Sequence, residues 1–148
     1  MSGGSPTVVE AWYKRAACAP ARIALADIGD SRADEAADQL RVDGLAVVVE
    51  PVVDVAEPAV AEVLARSSIA GLDPGDPLVA TALLVASGKA DAGVAGATRP
   101  SAEVVRIALG VLGVGVGEGL VSSCFLLVLP DGRPIAYADC GVVPDPDA

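Results

Sequence analysis

The sequence predicts an α/β protein built on a parallel sheet, and three observations support this prediction. Short apolar runs alternate along the chain with amphipathic segments of helical spacing, which is the order of elements in parallel α/β sheets. Turn and capping residues separate the two kinds of segment. The 148 residues, 53% of them hydrophobic, suffice for a core, because a domain of about 150 residues buries about 70% of its extended surface.

Three strands and four helices are expected in the first 112 residues. The strands are the apolar runs at residues 22–27, 44–50 and 92–96. The helices are expected at residues 32–40, 57–66, 77–87 and 101–112. Asp76 and Pro77 mark one helix start, since aspartate caps helices and proline fits the first helical position. The expected core residues are Ala24, Leu25, Val47, Val48, Leu83, Val94, Ile107 and Leu109.

A glycine-rich connector follows the last of these helices. Gly113, Gly115, Gly117 and Gly119 alternate, but a dinucleotide loop needs a strand before it and a helix after it. Here the order is reversed, so the run is interpreted as a hinge. Strands at residues 121–129 and 135–138 then form a hairpin around the turn at 130–133. The predicted domains are therefore residues 1–118 and 119–148.

Charge and composition exclude several classes of function. The net charge of −10 argues against nucleic acid and anionic membranes as partners, because both require a basic surface. The absence of histidine removes the usual general base and the commonest metal ligand. Three widely spaced cysteines without a CxxC pair favour a reducing cytoplasm over a disulfide framework or a metal site. No signal peptide is recognisable at the N-terminus.

One corner of the predicted sheet has the residues for an anion site. The strand that ends at Gly96 is followed by Thr98, Arg99 and Ser101, and Arg106 lies further along the next helix. Ligands of parallel sheets bind at the carboxyl ends of strands, and hydroxyl groups, helix N–H groups and guanidinium groups all favour phosphate. The alternative is an ordinary helix start with two solvated arginines.

Motifs in the C-terminal half resemble those of the phosphate acetyl/butyryl transferase family, the phosphotransacetylases. From Gly96 to Phe125 the family pattern fits without a gap. The opening Arg22-Ile-Ala-Leu, with Asp30 and Arg32, also resembles the family, whereas the sequence between is shortened. The matching residues are Asp76-Pro77, Gly88-Lys-Ala-Asp91, Val94-Ala-Gly96-Ala97, Ala102, Arg106, Ala108-Leu109, Leu120-Val-Ser-Ser-Cys-Phe125, Pro130-Asp131, Tyr137-Ala-Asp-Cys140 and Pro144-Asp-Pro146.

The resemblance implies a three-layer Rossmann-like parallel sheet of the isocitrate/isopropylmalate dehydrogenase type. It also implies the reaction acyl-CoA + phosphate = CoA + acyl phosphate, with coenzyme A as a substrate and no other cofactor. By position in the family motifs, it assigns substrate and phosphate binding to arginines and serines of this chain. With the anion corner, the candidate binding residues are Arg106, Arg66, Arg99, Thr98, Ser101, Ser122 and Ser123.

Departures from the family pattern lead to two further expectations. Arg99 stands where the family has a histidine, and the family's serine–arginine–aspartate catalytic group lies in sequence beyond this chain, so the catalytic residues are unknown. The chain is thus expected to be a partial or split phosphate acyltransferase, associating with itself or with a complementing second-half chain. The alternative is a non-catalytic module of that family that binds anions or coenzyme A, or serves oligomerisation.

Overall fold

The computed structural model describes residues 7–115 and 121–138. The chain divides into two compact units. The first is Ala16–Gly113, and the second combines the described residues of 1–15 and 114–148. The predicted domain boundary at residues 118 and 119 lies outside the described residues.

From β1 onwards the described elements follow the predicted order of strands and helices. In chain order they are α1 (Val8–Cys18), β1 (Ala21–Leu25), α2 (Ser31–Val42), β2 (Ala46–Val49), α3 (Pro58–Arg66), α4 (Pro77–Ala86), β3 (Ala92–Val94), α5 (Ser101–Val111), β4 (Cys124–Val128) and β5 (Pro134–Ala138). Capping residues set the boundaries: Asp76 accepts a hydrogen bond from the N–H of Leu78 at 2.8 Å with Pro77 at the first position. Gly88 after α4 has φ +73°, which favours glycine.

The first unit contains a three-stranded parallel sheet in the order β2-β1-β3. Ala24 of β1 packs against Leu84 of α4, whereas α2 contacts β2. The register places Leu25 and Val48 on the opposite face from Ala24, and both line a cavity with Ala37 of α2. Helices therefore cover both faces, and the predicted α/β class is confirmed.

Part of the predicted core is wrong. Ala24, Leu83 and Ile107 are buried as expected, but Val47, Val94 and Leu109 are exposed by 54%, 54% and 37%. Val47 and Val94 lie on the two outer strands and on opposite faces of the sheet. Each outer strand is covered on one face only, since α4 contacts β1 and β3 whereas α2 contacts β2. Leu109 lies two residues from buried Ile107 and Val111, which turns it to the other side of α5.

Helix α1 was not expected from the sequence. Its start carries a capping box, in which the N–H of Glu10 donates to the Thr7 hydroxyl at 3.3 Å and the N–H of Thr7 donates to the Glu10 carboxylate at 2.8 Å. This reciprocal pair satisfies two N–H groups that a helix start otherwise leaves free. The Thr7-Val-Val-Glu10 spacing was therefore a readable signal that the strand–helix alternation did not include.

The predicted C-terminal hairpin is present in the second unit. Strands β4 and β5 pair antiparallel with Phe125 opposite Tyr137, and Gly132 takes φ +82° in the turn. All five side chains of β4 are exposed. No helix in the described part of the chain is long and apolar enough to cross a membrane.

Candidate functional site

The carboxyl ends of β1 and β3 meet at the point where the strand order reverses, which is where parallel α/β sheets bind ligands. Asp27 follows β1 there and is 6% exposed. Its carboxylate accepts hydrogen bonds from the N–H of Ala97 at 3.0 Å, the N–H of Thr98 at 2.9 Å and the Thr98 hydroxyl at 2.5 Å. The predicted anion corner therefore holds the carboxylate of the protein's own Asp27.

The charge on Asp27 is maintained by these hydrogen bonds. Burial raises the pKa of the Asp27 carboxyl, but hydrogen bonds from the Thr98 hydroxyl and from the Ala97 and Thr98 N–H groups lower it more. The pKa consequently lies below its ordinary value. Arg32, at the start of α2, supplies a second link to this corner, since its Nη2 donates to the carbonyl oxygen of Ala97 at 2.9 Å.

Arg99 is neutralised by two carboxylates. Its Nη2 lies 2.7 Å from Asp76 and its Nη1 lies 2.8 Å from Glu103. The hydrogen bond to Asp76 raises the pKa of Arg99. Burial raises the pKa of Asp76, and the hydrogen bonds from Arg99 and the Leu78 N–H outweigh it, so that the pKa is lowered. Arg99 thus joins the start of α4 to the first turn of α5.

Arg106 lies in a cleft of about 280 Å³ beside this ion-pair cluster. Within the described residues, its guanidinium has no ion pair or hydrogen-bond partner, and no other cationic side chain lines the cleft. Three carboxylates are nearby, but Asp76 and Glu103 are already paired with Arg99. The cleft is lined by Ile69, Ala70, Gly71, Leu72, Asp73, Asp76, Leu78, Val79, Glu103, Arg106 and Ile107.

Close packing of the loop after α3 on α5 forms one wall of this cleft. The Ser67 hydroxyl and the Ser68 N–H both donate to the carbonyl oxygen of Gly110, at 2.9 and 3.1 Å. A Cβ atom on Gly110 would collide with the side chain of Ile69. Glycine at 110 therefore lets Ile69 reach α5, and Ile69 in turn lines the cleft.

The other predicted site residues are not brought to the Arg106 cleft. Arg66 ends α3 with an exposed side chain, and Ser101 begins α5 with an exposed side chain. Neither lines the cleft. Ser122 and Ser123 precede β4 and belong to the second unit.

No metal centre is found in the part of the chain that the structure describes. No group of three or more His, Cys, Asp or Glu side chains within residues 7–115 and 121–138 could hold a metal ion. Cys18 and Cys124 are exposed thiols, and Cys140 lies outside the described residues.

Comparison with known proteins identifies the family. Residues 73–148, half of the chain, match the model of the phosphate acetyl/butaryl transferase family. The chain belongs to this family. Phosphate acetyltransferases of Acetivibrio thermocellus and Paracoccus denitrificans are each 42% identical to it over 78 residues, which is 49% of this chain and 24% of each relative. That of Pseudomonas aeruginosa is 38% identical over 73 residues, which is 49% of this chain and 10% of the relative.

The match confirms the resemblance of the C-terminal half. The resemblance of the opening, from Arg22 to Arg32, lies outside the matched residues and stays a prediction. The aligned part of the chain spans about a quarter or a tenth of the length of these relatives. Arg99 and Arg106 lie inside the matched residues 73–148, and Arg66 lies outside them.

Sequence reasoning missed Asp27 and the contact of Arg32 with the corner. The sequence predicts Asp27 only as the last residue of a strand, and its partners are 70 and 71 residues away. An acidic side chain at the carboxyl end of a central strand was the one available signal. The sequence predicts Asp76 as a helix cap but does not predict its pairing with Arg99.

Proposed function

We propose that this chain carries the phosphoryl-binding part of a phosphate acyltransferase, which catalyses acyl-CoA + phosphate = CoA + acyl phosphate. Family membership supports the reaction class, and the unpaired Arg106 in its cleft is the observation that carries the assignment of the site. The strand order β2-β1-β3 with helices on both faces supports the three-layer Rossmann-like fold as part of the same proposal.

Arg106 suits the phosphoryl group for chemical reasons. Transfer of an acyl group from acyl phosphate to a thiol leaves phosphate, whose negative charge must be stabilised. A guanidinium group can donate two parallel hydrogen bonds to phosphate oxygens, a geometry that lysine does not offer. Arg106 is free to do so, whereas the donors of Arg99 are directed at Asp76 and Glu103.

The neighbouring candidates have secondary roles in this proposal. Thr98 and Arg99 hold the corner, and Ser101 presents a hydroxyl at the start of α5. Arg66, Ser122 and Ser123 remain candidate substrate contacts on the family resemblance alone. The proposal assigns phosphoryl binding and leaves the group that deprotonates the thiol unassigned.

Calorimetric titration with inorganic phosphate and with coenzyme A tests the proposal. We expect the 148-residue chain to bind both, and Arg106→Gln to weaken phosphate binding about tenfold. A hydrogen bond to a charged group contributes about 1.5–3 kcal/mol. Because the side chain of Arg106 is exposed, we expect a contribution at the lower end of this range, and about 1.4 kcal/mol corresponds to a tenfold change in the dissociation constant. Arg106→Lys should recover only part of the loss, because lysine lacks the two-pronged donor.

Arg15→Gln is the matched control. Arg15 is also an exposed helical arginine without a partner among the described residues, so its removal makes the same change in net charge. Equal loss of phosphate affinity in both variants would mean that only overall charge matters. Binding of coenzyme A without any binding of phosphate or acetyl phosphate would contradict the proposal and favour the non-catalytic module.

A further inference from the structure

Asp27 does more than occupy the corner, because its contacts join two distant parts of the sheet. It follows β1, and its three hydrogen-bond donors belong to Ala97 and Thr98, which connect β3 to α5. The Nη2 of Arg32 holds the same connection through the carbonyl oxygen of Ala97. The segment that leads into α5 is therefore held from the β1–α2 side by hydrogen bonds at three of its donors and at one acceptor.

The start of α5 has no side-chain cap of its own. Pro100 occupies the capping position and makes no side-chain hydrogen bond. Side chains of neighbouring elements hold this start instead, with Asp27 and Arg32 on one side and the pairing of Arg99 with Asp76 and Glu103 on the other.

The position of α5 determines the position of Arg106. Glu103 and Arg106 are three residues apart and so lie on one face of the helix, and both line the cleft. Arg99 binds Glu103 at 2.8 Å. Because Ser67 and Ser68 hold the far end of α5 at Gly110, a shift of the Ala97–Thr98 connection would act on the first turns of the helix, which carry Glu103 and Arg106.

We propose that Asp27 is a positioning residue of the phosphoryl site, which holds the β3–α5 connection so that Arg106 presents its guanidinium in the cleft. This inference rests on the proposed function in so far as the ligand is phosphate. Asp27 lies outside the residues that match the family model.

Asp91 provides a matched control at the other end of the same two strands. Its carboxylate accepts hydrogen bonds from the Arg22 N–H at 2.7 Å and the Arg22 guanidinium at 2.6 Å. Both aspartates therefore connect β1 to residues near β3, but Asp91 precedes β3 and Asp27 faces the segment after it. Asp27→Asn and Asp91→Asn each remove one negative charge and keep a side chain of the same size, so the two variants are matched.

Phosphate affinity is measured by calorimetry under conditions where circular dichroism shows each variant folded. We expect both variants to lower the midpoint of urea unfolding, and only Asp27→Asn to weaken phosphate binding, about fivefold. Asp27→Asn combined with Arg106→Gln should bind no more weakly than Arg106→Gln alone, because residues that act through one another are not additive. Unchanged affinity in Asp27→Asn, or fully additive losses, would overturn the inference.

Amide hydrogen exchange separates this inference from the proposed function. The N–H of Val104 donates to the carbonyl oxygen of Pro100 at 3.2 Å and reports on the first turn of α5. We expect its exchange to accelerate in Asp27→Asn and not in Asp91→Asn. A parent chain that binds no phosphate would contradict the proposed function. Unchanged amide exchange of Val104 in Asp27→Asn would contradict the positioning role of Asp27, whether or not phosphate binds.

Discussion

Gly93, in the centre of β3, should be intolerant of a side chain. A Cβ atom at this position would lie 2.6 Å from Cγ2 of Thr81 and 3.5 Å from Cγ2 of Val85. Thr81 is 4% exposed in the middle of α4, so α4 and β3 cannot separate freely to make room for the added atom. Excess atoms in a packed core cost about 1–3 kcal/mol, and replacing glycine returns about 0.4–1 kcal/mol through the unfolded chain.

We therefore expect Gly93→Ala to lower the free energy of unfolding by about 1–2 kcal/mol. The measurement is urea unfolding monitored by the circular dichroism signal of the helices. Tryptophan fluorescence is less suitable, because Trp12 lies in the other compact unit. Thr81→Ser removes the colliding methyl group and keeps the hydroxyl. In the Thr81→Ser background, Gly93→Ala should cost less than about 0.5 kcal/mol. A full cost in that background, or a stabilising Gly93→Ala in the parent chain, would refute the packing argument.

Two other properties should respond to defined changes. The partners Arg32 and Arg22 lower the pKa of Asp30 and of Asp91 from 3.8 to about 2, so their stabilising contributions are present above about pH 4 and are lost as the pH falls towards 2. The urea midpoint should fall over that range, less steeply in Asp91→Asn, and a midpoint independent of pH would contradict the ion pairs. The exposed side chains of β4, with Phe125 at 63%, should cause the chain to self-associate. Phe125→Glu should reduce this association in sedimentation velocity, whereas a parent chain that stays monomeric at high concentration would count against it.

Local signals made much of the fold predictable. Asp76-Pro77 and Gly88 delimit α4 in the sequence as they do in the structure, because caps act over a few residues. The strand at residues 92–96 could be predicted although its side chains are small, because turn residues lie on both sides of it. The exposure of Val47 and Val94 could not be predicted, because it depends on which helix covers which face of an outer strand.

The site was less predictable for the same reason. Arg99 and Arg106 could be singled out as cations near a strand end, but their difference in pairing depends on Asp76, which is 23 residues from Arg99. The role of Asp27 depends on donors 70 and 71 residues away. Side chains that come together only in the folded sheet show no regular spacing in the sequence, so their contacts cannot be predicted from it.

The most direct test of the central claim is to observe the guanidinium of Arg106 while phosphate is added. In the 148-residue chain labelled with ¹⁵N-arginine, the Nε–H resonance of Arg106 should shift and saturate with phosphate, whereas that of Arg15 should shift little. Arg106→Gln should abolish the saturable shift and thereby assign it. An Arg106 resonance that does not respond, or responds no more than Arg15, would contradict the account.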